Sequence, residues 1–572
     1  MQDTIILILL VLGVVYGNYQ HILNAYFKNP WIYAGVVGLG LVGYALYYLA
    51  GHYMEKFSNK ISMMRKGIKD DQKDVRASYP FRQFDLAEHM NEFLAIDRTE
   101  DETFLGLNAE TDNKEAVAVS DHQRGQHMQV LGMTGTGKTA GVFLPLIYQD
   151  ALKNRPVIIL DAKGELSAIN QLNALLHSIG REEDFLLFSL VHRDISCTYN
   201  PLYTGECDPQ IIIDSFFSHF NDDNSFYRET SKTIFTNVFH ILHSLGKPFT
   251  PMDVYTYLTD GNCRSEVNKR IIKDNQKGTL YLKLLNTMLI RLVAQYKGWE
   301  HVVTGFNNYL LAHSDALLNE ADSDIVLTDC IRQRKIVYFQ LPTNAYPIQS
   351  VSIARMIQAN LRYISSLIQV GKLPNDILVS VIIDEYASFA EESFVEVLNK
   401  ARSSGMMVTI AHQSLSDLSG ISESFMKRID ENTLNKIYLK QTDPELCELI
   451  ARSMGTFTKE EKTYRMTGGR FGNQIHVGES SNRIVNEFHF SPDKVKDLHK
   501  FGQGYFVYRG DKTQVCVNFG CFQDEQRPYQ RKAKSEKSQG LELFDKYFVS
   551  PSKPARKRAI KKKEEEELIF ED

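Results

Sequence analysis

Apolar positions along the chain fall into three patterns, each confined to its own stretch. Residues 1–50 carry the first, two long runs. One extends from about Thr4 to Tyr16 and on toward Phe27; the other, Trp31–Ala50, holds no charged residue and is long enough to cross a bilayer as a helix. Trp31, Tyr33, Tyr47 and Tyr48 stand near its ends, where aromatic rings suit a membrane interface. Gly35, Gly38, Gly40 and Gly43 allow close helix packing. The first run has no basic leader and no small-residue cleavage site, so both runs are read as two N-terminal transmembrane helices rather than a removed signal. Lys56, Lys60, Arg65, Lys66 and Lys69 follow the second run, and only Lys28 lies between the two. The positive-inside bias then predicts that everything after residue 51 is cytoplasmic.

The second pattern is a series of short apolar segments closed by turn or acidic residues: QHMQVLG, PVIIL, KIVYFQLP, ILVSVIIDE, MMVTIAHQ and NKIYLKQ. These read as buried strands, and their alternation with helical stretches predicts an α/β domain built on a doubly wound parallel sheet. DETFLGLNAE and KEAVAVSD ahead of them, and GQGYFVYRG and TQVCVNFG behind, predict further strands, the last two as a hairpin. The third pattern fills residues 203–325, where SKTIFTNVFHILHSL and LYLKLLNTMLIRLVAQY show helical periodicity. This block predicts an inserted all-α domain. The layout is an anchor at 1–50, a connector at 51–100, a nucleotide-binding domain in two parts at 101–202 and 326–526, the α block between them, and a tail at 527–572.

Composition adds limits. The hydrophobic share of 43% and charged share of 24% are those of an ordinary folded protein. A net charge of −5 excludes a surface that coats nucleic acid over its whole extent, so any such contact is local, in a pore or groove. Seven scattered cysteines without disulfide or metal-ligand spacing indicate a reducing compartment. From about residue 527, opposed charge blocks (RKAKSEKSQG, SKPARKRAIKKK, EEEELIFED) predict a disordered interaction tail.

Chemistry enters at Gly132–Thr139, GMTGTGKT, which fits the phosphate-binding loop pattern between a strand and a helix. Gly132, Thr134, Gly135, Thr136 and Gly137 let backbone N–H groups wrap phosphates, and the following helix N-terminus adds positive potential. Lys138 is expected to reach the β and γ phosphates of ATP, and Thr139 to hold Mg²⁺ through its hydroxyl. In VIIDE, Val381–Glu385, a strand delivers Asp384 for the metal and Glu385 to polarise the attacking water. The long interval between Lys138 and Asp384 agrees with an insertion. Gln413, ending the next strand, is a candidate γ-phosphate sensor. Arg402, ahead of that strand, is a candidate finger reaching into a neighbour's site, with Arg124 a weaker second cation. A solvated arginine or a plain polar strand end is the ordinary alternative for each.

Taken in order, the two-span anchor, VLGMTGTGKT, LDAKGE at Leu160–Glu165, Asn200-Pro201-Leu202, the α block, VIIDEYASF, ARSSG, AHQSLSDL and FSPDKVKDLHKFGQGYFVYRG resemble the conjugative coupling proteins of the TraD/TraG type, in the FtsK/HerA-like branch of RecA-fold motors. The likeness spans roughly residues 100–520. It implies a RecA-like ATPase that forms a homo-hexamer at the bacterial inner membrane with sites between subunits. The trans arginine and sensor glutamine of the family fall on Arg402 and Gln413, whereas a second family arginine has no clean counterpart, Gln126 lying nearest and Arg124 offset. The resemblance further implies an all-α domain that meets cargo, usually single-stranded DNA with its relaxase and in some relatives effector proteins, and delivery to a type IV secretion channel. An accessory protein would dock on the tail, where Leu568, Ile569 and Phe570 lie among acids. A chromosome-segregation translocase is the more distant reading, disfavoured because neither extra spans nor a DNA-reading winged-helix domain is seen.

Overall fold

The computed structural model describes residues 86–95 and 101–549, apart from 112–114, 204, 206–207, 218–219, 221–223, 275, 469–473, 499–500, 512, 533 and 535–538. The two expected membrane helices, most of the connector and residues 550–572 lie outside the described residues. Among the described residues no helix is long and apolar enough to cross a membrane.

The strands are β1 (Glu102–Asn108), β2 (Ala116–Ser120), β3 (Met128–Leu131), β4 (Val157–Asp161), β5 (Phe185–Ser189), β6 (Ile336–Gln340), β7 (Val379–Ile383), β8 (Met406–His412), β9 (Asn435–Leu439), β10 (Thr456–Gly468), β11 (Gln474–Phe488), β12 (Gln503–Tyr508) and β13 (Thr513–Asn518). Among the described residues, eleven of them form one sheet in the order β2-β1-β13-β12-β9-β3-β8-β7-β4-β6-β5. From β9 to β5 all neighbours are parallel. β12, β13, β1 and β2 then continue the sheet antiparallel. In β4, β6, β7 and β8 every residue is buried, as strands covered on both faces require, which is why they read as unbroken apolar runs.

Between β5 and β6 the chain is helical: Pro209–Phe217, Ser225–His243, Pro251–Thr259, Gly261–Asp274, Gln276–Tyr296 and Thr304–Ala312. Ile234, Phe235, Val238, Ile241 and Leu242 recur at helical spacing and turn inward. They meet an aromatic core in which Phe216, Phe217, Phe220, Phe235 and Phe306 lie with neighbouring ring centres 5.1 to 5.5 Å apart. Thr250 starts the Pro251–Thr259 helix with a capping box, its hydroxyl accepting from the Asp253 N–H while Asp253 accepts from the Thr250 N–H.

Two features depart from the pattern-based reading. β10 and β11 make a separate two-stranded ribbon that apolar alternation did not announce. The described part of the tail, 527–549 apart from 533 and 535–538, is laid across the body rather than disordered. Tyr529 is buried, its hydroxyl accepting from the Leu187 N–H and donating to the Phe185 carbonyl. Arg531 pairs with Asp324 at 2.8 Å and Lys534 with Asp322 at 2.6 Å. The N–H groups of Leu543 and Phe544 then donate to Asp253 Oδ1 in the helical block, and Lys546 pairs with Glu266 at 2.6 Å. The first charge block signalled solvation, but its cations Arg531, Lys532 and Lys534 find fixed carboxylates on the body.

Candidate nucleotide site

The C-terminal ends of the parallel strands carry the site, the edge where open α/β sheets bind ligands. β3 leads into the loop Gly132–Gly137. Gly135 and Gly137 adopt φ of 79° and 102°, left-handed values that favour glycine, and a Cβ on Gly132 would stand 2.7 Å from Thr136 Oγ1. Thr136 Oγ1 donates to the Met133 carbonyl at 2.8 Å, and the Gly502 N–H donates to the Thr136 carbonyl at 2.9 Å, so the loop is braced from within and from the segment before β12. Thr134 precedes the turn. A widened turn, Lys138–Phe143, opens the helix that continues as Leu144–Leu152. Lys138 is 5% exposed, and its Nζ donates to the carbonyls of Gly132 at 2.5 Å and Met133 at 3.3 Å. Burial lowers its pKa, partly offset by Asp384 and Glu385.

β7 brings the acids to the same edge. Thr139 Oγ1 donates to Asp384 Oδ2 across 3.4 Å, so the hydroxyl after the P-loop lysine and the first carboxylate of VIIDE converge. Glu385 follows in the left-handed region, φ 52° and ψ 48°, and its N–H donates to Asp384 Oδ1 at 2.9 Å. That conformation costs a non-glycine residue roughly 1–2 kcal/mol and turns the second carboxylate away from the strand direction. β8 lies between β3 and β7, so Gln413 emerges between the P-loop and the acid pair. Its backbone is fixed from below. Buried Lys436, whose pKa burial pushes down to about 7, donates to Gln129 Oε1, and the Gln129 amide lies 2.7 Å from His412 Nε2. His412 Nδ1 in turn faces the Ser414 carbonyl at 2.7 Å. Burial holds that imidazole neutral, at about 4, so one ring nitrogen accepts and the other donates.

Arg402 is not at this edge. It sits in the turn Arg402–Ser404 before β8, at the strand end opposite Gln413, exposed and 3.4 Å from His122 Nε2. A strand of this length holds the two roughly 20 Å apart, so Arg402 does not serve the site of its own chain. Arg124 is a correction. It is 2% exposed and locked bidentate on Asp150 at 2.6 and 2.8 Å, with Arg155 also 3.2 Å from that carboxylate, so it is a core ion pair with no reach to a neighbour.

Sequence reasoning assigned no chemistry to the tip of β4, where LDAKGE begins. β4 adjoins β7, and Lys163 Nζ stands 2.9 Å from Asp384 Oδ2. Asp161, buried beneath, accepts from the Tyr338 hydroxyl at 2.7 Å, and its pKa is pushed up to about 7 by burial and then by Asp384. The signal was an acid and a lysine closing an apolar strand; what it lacked was the knowledge that this strand neighbours β7.

A hydroxyl and a carboxylate oxygen suit a small hard cation that keeps phosphate and water as its other ligands, so the residues present fit Mg²⁺ with a triphosphate. The sheet order, the P-loop and the acid pair define the class: a RecA-like P-loop nucleoside triphosphatase with an all-α insertion. Comparison with known proteins narrows this. Residues 378–500 match the TraM recognition site of TraD and TraG, and residues 121–205 match the central domain of the helicase HerA. The type 4 coupling protein DotL of Legionella pneumophila is 23% identical over 414 residues, 62% of this chain and 52% of DotL, so the chain spans about half the length of that curated relative. Among solved structures, the bacterial conjugative coupling protein TrwBdeltaN70 aligns over 73% of this chain and 90% of its own with a TM-score of 0.51 at 16% identity. Plasmid coupling protein TrwB in complex with ADP and Mg²⁺ aligns over the same shares with a TM-score of 0.48 at 15% identity. In its matched segments and its fold, the chain resembles the type IV coupling proteins of the TraD/TraG type.

Proposed function

We propose that the chain is an ATP-driven coupling protein which, held in the bacterial inner membrane by the two spans of residues 1–50, passes relaxase-bound single-stranded DNA to a conjugative type IV secretion channel. The observation that carries this reading is the convergence of Lys138, Thr139 and Asp384 on one strand edge, with Thr139 and Asp384 oxygens 3.4 Å apart. Lys138 and the loop amides bind the β and γ phosphates of ATP. Thr139 and Asp384 hold Mg²⁺, which supplies charge neutralisation to the triphosphate. Glu385 takes the proton of the water that attacks the γ-phosphorus, and ADP leaves with the cleaved bond's electron pair. Gln413, between the two motifs, registers whether the γ-phosphate is present.

Arg402 faces away from its own site, as a residue acting on a neighbour's site in a homo-hexameric ring must. The test is ATP hydrolysis by the full chain with and without single-stranded DNA. Stimulation of several-fold that weakens steeply with salt is expected. Glu385→Gln is expected to bind ATP and lose roughly 100-fold or more in turnover. Hydrolysis that ignores DNA and answers to protein cargo would move the reading to an effector receptor; no hydrolysis with either cargo would end it.

A further inference from the structure

The helix Gln276–Tyr296 buries one face on the helical core and leaves the other uncovered among the described residues. On a helical projection Lys277, Leu280, Lys283, Leu284, Ile290 and Arg291 share that outer face. Leu280 is 58% exposed and Leu284 51%, with Ile290 close behind. The helix has no carboxylate. The adjoining helix Gly261–Asp274 exposes Lys269, Arg270, Lys273 and a 63% exposed Ile272. Large apolar side chains interleaved with cations on a surface helix mark a docking face for an amphipathic acidic segment.

Such a segment exists in the chain, and the ordered part of the tail delivers it. The strap runs over the body and ends on the adjoining helix, where Lys546 pairs with Glu266 of Gly261–Asp274. After residue 549 the sequence continues to Glu564–Glu567, then Leu568-Ile569-Phe570, then Glu571-Asp572. Residues 550–563 separate the strap from this stretch, and a chain of that length reaches at most roughly 45–50 Å, against about 30 Å for the whole Gln276–Tyr296 helix. Tethering at this distance gives an effective concentration in the millimolar range, enough for a weak peptide contact to be occupied.

We propose that Glu564–Asp572 docks on the Gln276–Tyr296 face of the same chain, its glutamates on Lys277, Lys283 and Arg291 and its Leu-Ile-Phe on Leu280, Leu284 and Ile290. The outer surface of the all-α domain then carries a tethered occupant that an acidic, apolar partner peptide has to displace. This holds whether or not the chain pumps DNA.

The test is zero-length carbodiimide cross-linking of the full chain, with peptides mapped by mass spectrometry in an equal mixture of light and heavy isotope-labelled protein. Amide links from Glu564–Glu567 to Lys277 or Lys283 within one chain are expected. Leu280→Ser with Leu284→Ser, both exposed positions that leave the lysines in place, is expected to lower their yield at least about fivefold, since the apolar half of the contact is lost. Molar salt is expected to lower it as well. Absence of the links, a yield unchanged in the double variant, or links joining light to heavy chains would each overturn the proposal, the last by making a second copy the occupant.

Discussion

Replacing Arg124 by methionine separates the two roles this residue has been assigned. As a core cation it is bonded through both terminal nitrogens to Asp150, and it also donates to Thr103 Oγ1 at 3.1 Å. Methionine fills much of its volume and leaves the fully buried Asp150 with Arg155, 3.2 Å away, as its remaining ion-pair partner. Removing one partner of a buried pair costs roughly 3–5 kcal/mol, and the remaining Arg155 contact argues for the lower end. A loss of about 3 kcal/mol lowers the melting temperature of a domain of this size by roughly 3–5 °C. Burial alone would raise the pKa of Asp150, but Arg124, then Arg155, hold it at about 2. A carboxyl depressed in the folded state contributes stability above its unfolded pKa, near 4, and loses it as pH falls toward 2. The acid limb of the stability profile should therefore be shallower in Arg124→Met between those values. Arg124→Met with Asp150→Leu, which removes the stranded charge as well, should recover most of the loss. Thermal melts of the parent protein and the two variants across pH measure all of this. A single variant melting within 2 °C of the parent protein would refute the core assignment. So would a variant of normal stability that poisons hydrolysis in mixed rings.

Three further outcomes follow from the site. Arg402→Ala subunits mixed into wild-type assemblies should depress hydrolysis by more than their fraction, since each spoils a neighbour's site; activity that falls in simple proportion to the mixing ratio rules the trans role out. Lys163→Met removes the cation that stands on Asp384, so the Mg²⁺ concentration for half-maximal binding of a fluorescent nucleotide should fall by about two- to fivefold, the worth of an ion pair that is partly solvated. An unchanged or raised half-point would show that Lys163 does not compete with the metal. Asp161 is raised to about 7 in the folded chain, so its contribution to stability is complete below its unfolded pKa and disappears as pH rises toward 7. Asp161→Asn should flatten that decline in nucleotide-free protein, and an identical decline in urea-unfolding profiles would count against a buried, proton-holding Asp161.

How much of this was legible in the sequence differs between elements, and the reasons are physical. β3, β4, β6, β7, β8 and β9 announce themselves because strands buried on both faces need continuous apolar runs. The ribbon β10–β11 is silent, because among the described residues it stands apart from the main sheet, outside the two-faced burial that demands an apolar run. Its exposed Ile484 illustrates the lack of a core to face. The tail misled for the opposite reason. Its composition describes solvation in isolation, and ordering comes from carboxylates such as Asp322, Asp324 and Asp253, which lie far away in the chain.

The site shows the same division more sharply. A P-loop is local: its glycines, lysine and threonine are contiguous, so its pattern can be read without the fold. The acid pair is local too, a strand that ends in two carboxylates. What local pattern does not contain is the order in which strands lie side by side. Asp161 and Lys163 end a strand indistinguishable in sequence from its neighbours, and only the placement of β4 against β7 sets the ammonium of Lys163 on Asp384. Arg402 and Gln413 are likewise ordinary until β8 is seen between β3 and β7, which puts one residue at the nucleotide edge and the other at the far end of the same strand. A single strand carries the proposed sensor at one end and an exposed arginine at the other, a rigid span between two edges. In the ring proposed above, that span would join the state of one site to the access of the next, and changes at Gln413 and at Arg402 would need no moving loop to be coupled.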